Sequence, residues 1–306
     1  MRFLRPYAAM FALLASPAAY AAQTALLPGW VCMRLDGVFA GGFESGESAV
    51  PHAPSLGSGG AYPGAVSRSV TVAGLGTQPY YLYLPSDYTP RHAWPLLLAL
   101  HGAGGPGTAD SAARTVRSDW GSIASGLGVI VAAPVGTDTQ SGGWVAPLTL
   151  GDSPTDYDII AKAVADAEAA YNVETSRVYG WGYSAGGHVM HSLALNGYNA
   201  SVNAGTIAAY SVSAGVLKGE ACRGLDATQC MSQVLVPAAR KVPVDIHIGN
   251  TDPLLSYAQS DQTGFAASGW NAGGTLFYTE FSGGHVYSMT DLQQGWSNIC
   301  GFAVVP

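Results

Sequence analysis

The chain has 306 residues, of which 20 are acidic and 13 are basic, and its formal net charge is −7. This length is sufficient for one large domain with a substantial core, so no second domain is required. The negative balance and the lack of a basic cluster argue against nucleic acid as a partner.

The N-terminus has the pattern of a secretory signal peptide, which we assign to residues 1–21. Arg2 and Arg5 precede an apolar run at 7–15, and the small residues Ala19 and Ala21 form a cleavage site around Tyr20. The run is shorter than the roughly 20 residues that a membrane-spanning helix needs. No later stretch is long and apolar enough, so we predict a secreted protein, extracellular or periplasmic, without a membrane span.

Two regions follow the signal peptide. Residues 22–65 are rich in Gly, Ser, Pro and Ala, a composition that predicts a mostly irregular leader. Residues 66–306 carry regular apolar patterns and are expected to form a single folded domain. We expect the protein to be a monomer.

The four cysteines are Cys32, Cys222, Cys230 and Cys300. An even number in an oxidising compartment indicates disulfides, and four cysteines allow three pairings. We favour Cys222 with Cys230, which closes a short polar loop, and Cys32 with Cys300, which ties the N-terminal segment to the end of the fold. A zinc site is the weaker interpretation, because the chain has no C-x-x-C spacing.

The apolar patterns predict an α/β fold. Runs at 67–72 and 79–84, separated by a turn, indicate a β-hairpin. Further short apolar runs alternate with helix-compatible segments, at 95–100, 128–133, 177–180, 206–212, 242–248 and 275–281. Strands that are apolar at every position are buried on both faces, which is typical of a parallel sheet covered by helices. The clearest helix is 157–171, with Asp156 as its expected cap. We predict one doubly wound α/β domain with a mostly parallel sheet.

The stretch around Ser184 has the pattern of a nucleophile elbow. Residues 182–186 are Gly-Tyr-Ser-Ala-Gly, between an apolar strand and a helix-compatible segment. A serine on a tight strand-to-helix turn needs small neighbours, because the backbone is strained and the strand and helix approach closely. The turn would expose the Ser184 hydroxyl at the carboxyl end of a strand. To act as a nucleophile, this hydroxyl needs a base and an orienting acid.

Asp252 and His285 are the candidates for these partners. Each follows one of the last two predicted strands, in the sequences Asn-Thr-Asp-Pro and Ser-Gly-Gly-His. Ligands bind beyond the carboxyl ends of the strands in such sheets, and the chain order Ser, Asp, His is the order expected after a nucleophile elbow. The sequence therefore predicts a catalytic triad of Ser184, Asp252 and His285.

A glycine-rich loop at 101–105, His-Gly-Ala-Gly-Gly, follows the strand at 95–100. Glycines allow backbone N–H groups to point into the cleft. We predict that the N–H groups of Ala103 and Ala185 form the oxyanion hole. His101 is expected to support this loop and not to transfer protons.

Other titratable residues are weaker candidates. His188 and His191 are one helical turn apart and could resemble a metal-binding pair, but no third ligand lies at a usual spacing. Asp245 is inside an apolar strand, and Asp261 lies several residues past the turn that carries Asp252. We expect packing or surface roles for the two histidines, and no metal site.

These motifs resemble the α/β-hydrolase serine esterases, in particular secreted polyhydroxybutyrate depolymerases and feruloyl esterases. The segments that carry the resemblance are 100–105, 156–172, 177–187, 247–257 and 283–285. The resemblance implies that residues 66–306 are an α/β-hydrolase catalytic domain. It also implies hydrolysis of carboxylic esters through an acyl-enzyme on Ser184, without a metal or organic cofactor.

Aromatic residues on segments that should flank the cleft are candidates for substrate contact, namely Trp144, Tyr183 and Tyr257. Aromatic walls suit a polyester chain or a hydroxycinnamoyl group. We rank a polyester of the polyhydroxybutyrate type, including insoluble polymer, ahead of feruloyl or acetyl-xylan-type esters of plant polysaccharide, with a peptidase third. A non-catalytic secreted binding protein on the same scaffold is the alternative from another class.

Overall fold

The computed structural model describes residues 22–26, 32, 52–60 and 63–305. The strands are β1 (Gln23–Leu26), β2 (Gly64–Val72), β3 (Gly76–Leu84), β4 (Trp94–Leu100), β5 (Ile130–Pro134), β6 (Val173–Tyr183), β7 (Ile207–Ser213), β8 (Val244–Gly249), β9 (Leu276–Phe281) and β10 (Phe302–Val305). The helices are α1 (Ala109–Leu127), α2 (Asp156–Ala170), α3 (Ala185–Leu195), α4 (Ala227–Cys230), α5 (Leu255–Ala267) and α6 (Met289–Ile299). The predicted signal peptide lies outside the described residues.

Eight strands form one sheet in the order β2-β3-β5-β4-β6-β7-β8-β9. The pairs β2–β3 and β3–β5 are antiparallel, and every pair from β5 to β9 is parallel. The prediction of a mostly parallel sheet entered through a β-hairpin is therefore confirmed. The carboxyl ends of the parallel strands share one edge, so residues that follow them can meet there.

The centre of the sheet is buried on both faces, as β4 illustrates. Leu96, Leu98 and Leu100 pack in a core that includes residues of α2 and α3. The alternate residues Leu97 and Ala99 pack in a second core with residues of α1 and α6. Successive side chains of a strand point to opposite faces, and this explains why β4 is apolar at every position.

The start of α2 differs from the sequence-based expectation that Asp156 caps this helix. The N-cap is Thr155, whose Oγ1 accepts the N–H of Tyr157 at 3.3 Å. The N–H of Thr155 donates to the carboxylate of Asp158 at 2.8 Å, which completes a capping box. Asp156 lies in the first turn of α2, and its buried side chain contacts a neighbouring loop instead.

The two ends of the described chain lie together. Strand β1 pairs with β10 in antiparallel register, so part of the leader that was expected to be irregular is a strand. Cys32 is bonded to Cys300 and Cys222 to Cys230, which are the favoured pairings. Among the helices that the structure describes, none is both long and apolar enough to cross a membrane.

Candidate active site

Ser184 lies at the turn between β6 and α3, on the edge where the parallel strands end. Its backbone has φ 51° and ψ −116°, a conformation that costs a non-glycine residue energy. A Cβ atom on Gly182 would overlap the carbonyl oxygen of Gly186, and one on Gly186 would overlap that of Leu100. The two glycines are therefore required by close approach, and the turn has the geometry of a nucleophile elbow.

His285 bridges Ser184 and Asp252. Its Nε2 lies 2.8 Å from Ser184 Oγ, and its Nδ1 lies 2.8 Å from Asp252 Oδ2. Because a carboxylate only accepts, Nδ1 carries the proton and Nε2 can accept the proton of the serine hydroxyl. The side chain of Asp252 is buried, and its Oδ1 accepts the N–H of Leu254 at 2.8 Å. The three predicted triad residues thus form one hydrogen-bonded relay.

The turns that carry Asp252 and His285 are bonded to each other. Thr251 donates both its N–H and its hydroxyl to the carbonyl oxygen of Gly283, at 2.9 and 2.8 Å. The N–H of Gly283 donates to Asn250 Oδ1 at 3.2 Å. These bonds hold the acid and the base in register, although they lie on separate loops.

Ala103 and Ala185, the predicted oxyanion hole, lie on the two segments that meet at Ser184. A Cβ on Gly143 would lie 3.2 Å from the Cβ of Ala103 and 3.6 Å from that of Ala185, so one loop borders both alanines. A Cβ on Gly102 would lie 3.3 Å from the Cβ of Ser184. Between described residues, no backbone hydrogen bond outside the helices and strands uses the N–H of Ala103 or Ala185.

His101 supports the loop that carries Ala103. Its buried ring accepts the N–H of Gly136 at Nε2, at 3.0 Å, and its Nδ1 lies 2.9 Å from Gly102 O. Burial lowers the pKa of His101, so the ring is neutral near pH 7. The neutral tautomer with the proton on Nδ1 satisfies both contacts.

Trp144, which the sequence suggested as a substrate contact, is buried in the structure. Only 8% of the residue is exposed, and its Nε1 donates to His101 O at 2.8 Å. Its ring stacks on the ring of His101 with a centroid distance of 4.6 Å. These contacts favour a supporting role beneath the glycine-rich loop.

Tyr183 and Tyr257 were the other candidates for substrate contact. The hydroxyl of Tyr183 donates to His285 O at 2.6 Å, so this side chain braces the catalytic loop. Tyr257 is exposed on α5, with the ammonium of Lys218 4.7 Å from its ring centroid. The side chain of Tyr257 is thus accessible to solvent beside the loop that follows β7, whereas the hydroxyl of Tyr183 is already bonded to the histidine loop.

His188 and His191 are packing residues. His188 Nδ1 accepts the N–H of Val216 at 2.9 Å, and burial lowers the pKa of His188 to about 4. His191 is fully buried, lies 3.0 Å from the hydroxyl of Tyr210, and has a pKa lowered by burial to about 3. Both rings are therefore neutral near pH 7.

Sequence reasoning missed a buried charge cluster between β8 and α6. His247 Nε2 lies 2.7 Å from Asp245 Oδ2, and His247 Nδ1 lies 3.6 Å from Asp291 Oδ1. Burial alone would lower the pKa of His247, but the two carboxylates outweigh it and raise the pKa to about 9. The spacing of Asp245 and His247 along β8, which puts both on one face, was the available signal.

No protein-family model matches the chain, and the comparison with curated proteins found no match. Solved structures do match. A ferulic acid esterase is 14% identical with a TM-score of 0.58, covering 77% of this chain and 97% of its own. A fluorophosphonate-binding serine hydrolase of Staphylococcus aureus is 14% identical with a TM-score of 0.57, covering 78% and 99%. A mutant feruloyl esterase module of Clostridium thermocellum, complexed with sinapinate, is 14% identical with a TM-score of 0.53, covering 83% and 94%.

At this level of identity, the likeness shows the fold. The chain has the α/β-hydrolase fold. In an α/β-hydrolase the nucleophile lies on the elbow after a central strand, and the acid and the base follow later strands in that order. Ser184 after β6, Asp252 after β8 and His285 after β9 occupy these positions of the α/β-hydrolase sheet.

Proposed function

We propose that this protein is a serine hydrolase that cleaves carboxylic esters through an acyl-enzyme on Ser184. The observation that carries the proposal is the relay from Ser184 through His285 to Asp252, with both contacts at 2.8 Å. The strained elbow, the N–H groups of Ala103 and Ala185, and the fold shared with solved esterases support the same chemistry.

In this mechanism His285 takes the proton of Ser184 as Oγ attacks the ester carbonyl carbon. Asp252 orients the imidazole and stabilises its protonated form, and the N–H groups of Ala103 and Ala185 hold the oxyanion. The bond to the alcohol oxygen then breaks, and His285 donates its proton to the leaving group. Water, activated by the same histidine, releases the acid and restores Ser184.

The test compares the purified mature protein with Ser184→Ala on p-nitrophenyl esters from acetate to octanoate. We expect kcat to fall at least about 1000-fold, because the nucleophile is lost while binding groups remain. Ser256→Ala, on the exposed surface of α5, is the matched control and should keep the wild-type rate. Equal rates in Ser184→Ala and wild type would contradict the proposal. A wild-type protein inactive on every ester would favour a non-catalytic binding protein.

For the substrate, we propose first a polyester of the polyhydroxybutyrate type. Large apolar side chains are exposed on the segments that leave the carboxyl edge of the sheet after β5 and β9, including the first residue of α6. They are Val145, Leu148, Leu150, Val286 and Met289. Exposed apolar side chains on segments that leave the same edge of the sheet as Ser184 fit an apolar, insoluble polymer better than a small soluble ester.

Feruloyl or acetyl-xylan-type esters are the second candidate. The observation that favours them is the appearance of a ferulic acid esterase and of a feruloyl esterase module bound to sinapinate among the similar structures. Polyhydroxybutyrate film and methyl ferulate, assayed in the same experiment as the p-nitrophenyl esters, separate the two substrates. Clearing of the film without release of ferulate would support the polyester, and the reverse would support the second candidate.

We also propose that the protein acts outside the cytoplasm as a monomer. Two disulfides with no free cysteine fit an oxidising compartment. All triad residues come from one chain, so the proposed site needs no second copy.

A further inference from the structure

The carboxylate of Asp156 is buried behind the active-site loops. Its Oδ2 accepts the N–H groups of Thr137 and Val145, both at 2.8 Å. Its Oδ1 accepts the hydroxyl of Thr137 at 2.5 Å, and its own N–H donates to Val145 O at 3.0 Å. One side chain thus ties together both ends of residues 137–145, which we name the clamp loop.

The clamp loop lies against residues 101–105, which we name the oxyanion loop. The N–H of Gly105 donates to Ser141 O at 2.7 Å. Gly143 lies so close to Ala103 that an added Cβ would be 3.2 Å from the alanine Cβ. The clamp loop therefore borders the segment whose N–H should bind the oxyanion.

Further contacts are made to His101, the first residue of the oxyanion loop. Trp144, in the clamp loop, donates from Nε1 to His101 O at 2.8 Å and stacks on the imidazole of His101. Gly136, directly before the clamp loop, donates its N–H to His101 Nε2 at 3.0 Å. The oxyanion loop is thus held at its beginning and at its end by one neighbouring segment.

Helix capping does not explain the burial of Asp156. Thr155 and Asp158 already form the capping box of α2. The cost of burying Asp156 is visible in its carboxyl pKa, which burial raises. The three hydrogen bonds that the carboxylate accepts from the clamp loop compensate this cost. None of them is part of the capping of α2.

We propose that Asp156 is a positioning residue for ester hydrolysis, which fixes the clamp loop and through it the N–H of Ala103 at the oxyanion. This inference rests on the proposed function. Donors that are preorganised for the oxyanion act mainly in the transition state. A displacement of the donor by about 1 Å is therefore expected to lower kcat strongly, up to about 100-fold, with little change in KM.

The test uses the full-length mature protein with Asp156→Ala, Asp156→Asn and Asp158→Ala. Asp156→Ala removes all three acceptor bonds, and we expect kcat to fall at least about 10-fold with KM within about twofold. Asn retains an acceptor for both N–H groups, and its amide can donate to the Thr137 hydroxyl, so Asp156→Asn should recover most of the activity. Asp158→Ala is the matched control, because it removes a carboxylate from the same helix turn without touching the clamp loop.

Affinity for phenylboronic acid gives a readout that a purely structural role would not change. The boronate forms a tetrahedral adduct with the serine, so its affinity should fall in parallel with kcat in Asp156→Ala and be retained in Asp158→Ala. Thr137→Val, which removes one bond and leaves α2 intact, should lower kcat about threefold and serves if Asp156→Ala does not fold.

Wild-type kcat in a folded Asp156→Ala, or in Thr137→Val when the alanine variant does not fold, would overturn the proposal. An equal loss in Asp158→Ala, or no recovery in Asp156→Asn, would also overturn it. In each of these cases the wild-type enzyme remains an active esterase. A wild-type protein without ester hydrolysis would instead overturn the proposed function, and this inference with it.

Discussion

Tyr183 directly precedes the nucleophile Ser184 in the chain, but its side chain contacts the loop of the base, His285. Its hydroxyl donates to His285 O at 2.6 Å, and its ring centroid lies 5.5 Å from that of His285 and 4.9 Å from that of Tyr287. On its other side, a Cβ added to Gly102 would lie 2.8 Å from the ring. Tyr183 therefore fills the space between the histidine loop and the oxyanion loop.

Tyr183→Phe separates this bracing role from substrate contact. A single hydrogen bond is worth about 0.5–1.5 kcal/mol net, so loosening His285 should lower kcat about 2–10-fold. If Tyr183 braces the loop, KM stays within about twofold of wild type, which steady-state kinetics on p-nitrophenyl butyrate can measure. Tyr278→Phe, which loses an exposed bond to Glu280, is the control. A raised KM with unchanged kcat would restore the substrate-contact interpretation.

The sequence predicts which residues form the candidate site better than it predicts the direction of their side chains. Ser184, Asp252 and His285 could be selected because each follows a strand, and strand ends are visible as the limits of apolar runs. Trp144 and Tyr183 lie beside glycine-rich turns, where no periodicity tells which way a ring points. Asp156 was visible as an acid at a helix start, but its acceptor bonds to a loop that precedes the helix depend on tertiary structure.

At the scale of elements, a buried cluster of charges joins β8 to α6. Asp245 and His247 project from the same face of β8, and Asp291 contacts His247 from the first turn of α6. Asp291 also accepts the N–H and hydroxyl of Ser288 in the capping box of α6. Because Ser288 is three residues after His285, this cluster anchors the helix that continues from the catalytic loop.

The cluster predicts a loss of stability at alkaline pH. The pKa of His247 is raised from 6.5 to about 9. The contribution of this histidine to the free energy of unfolding is therefore complete below pH 6.5 and is lost as pH rises through 9. The loss should be about 3 kcal/mol at most, since one pKa unit corresponds to about 1.4 kcal/mol. Urea unfolding at pH 6.5 and 9.5 measures it.

The controls for this prediction are two histidine variants. His247→Gln cannot titrate, so its unfolding free energy should change much less between the two pH values than that of wild type. His92→Gln, at an exposed position, should retain the wild-type dependence. A wild-type dependence in His247→Gln would show that other groups cause the alkaline loss.

The elements themselves follow closely from sequence pattern. The apolar runs correspond to β4 through β8 because helices cover both faces of the parallel sheet there, and the run at 275–281 corresponds to the edge strand β9, which is only partly buried. The short strand β1 could not be predicted in the same way, because its four residues gain their structure from pairing with β10. That partner is about 280 residues away along the chain, and local pattern carries no signal for it.

At the scale of the whole molecule, the two ends of the chain are joined in two ways. The ladder between β1 and β10 brings the leader to the end of the domain, and the bond between Cys32 and Cys300 lies just before β10. Arg240 adds a contact from the body of the domain, because its Nη1 donates to the Thr24 hydroxyl at 2.5 Å. The first and last described strands are thus held by covalent, backbone and side-chain contacts together.

The two disulfides are expected to differ in their effect on stability. Their cysteines are separated by 268 and 8 residues. In the chain-entropy relation, these loops correspond to about 5.5 kcal/mol for Cys32–Cys300 and about 2.5 kcal/mol for Cys222–Cys230. Cys32→Ser/Cys300→Ser should therefore unfold at a clearly lower urea concentration than Cys222→Ser/Cys230→Ser, with wild type above both. Since Cys300 lies at the end of α6 remote from His285, the first variant should keep wild-type kcat at 25 °C. A larger loss from opening the short loop would mean that native packing around Cys222, and not unfolded-chain entropy, determines the stability.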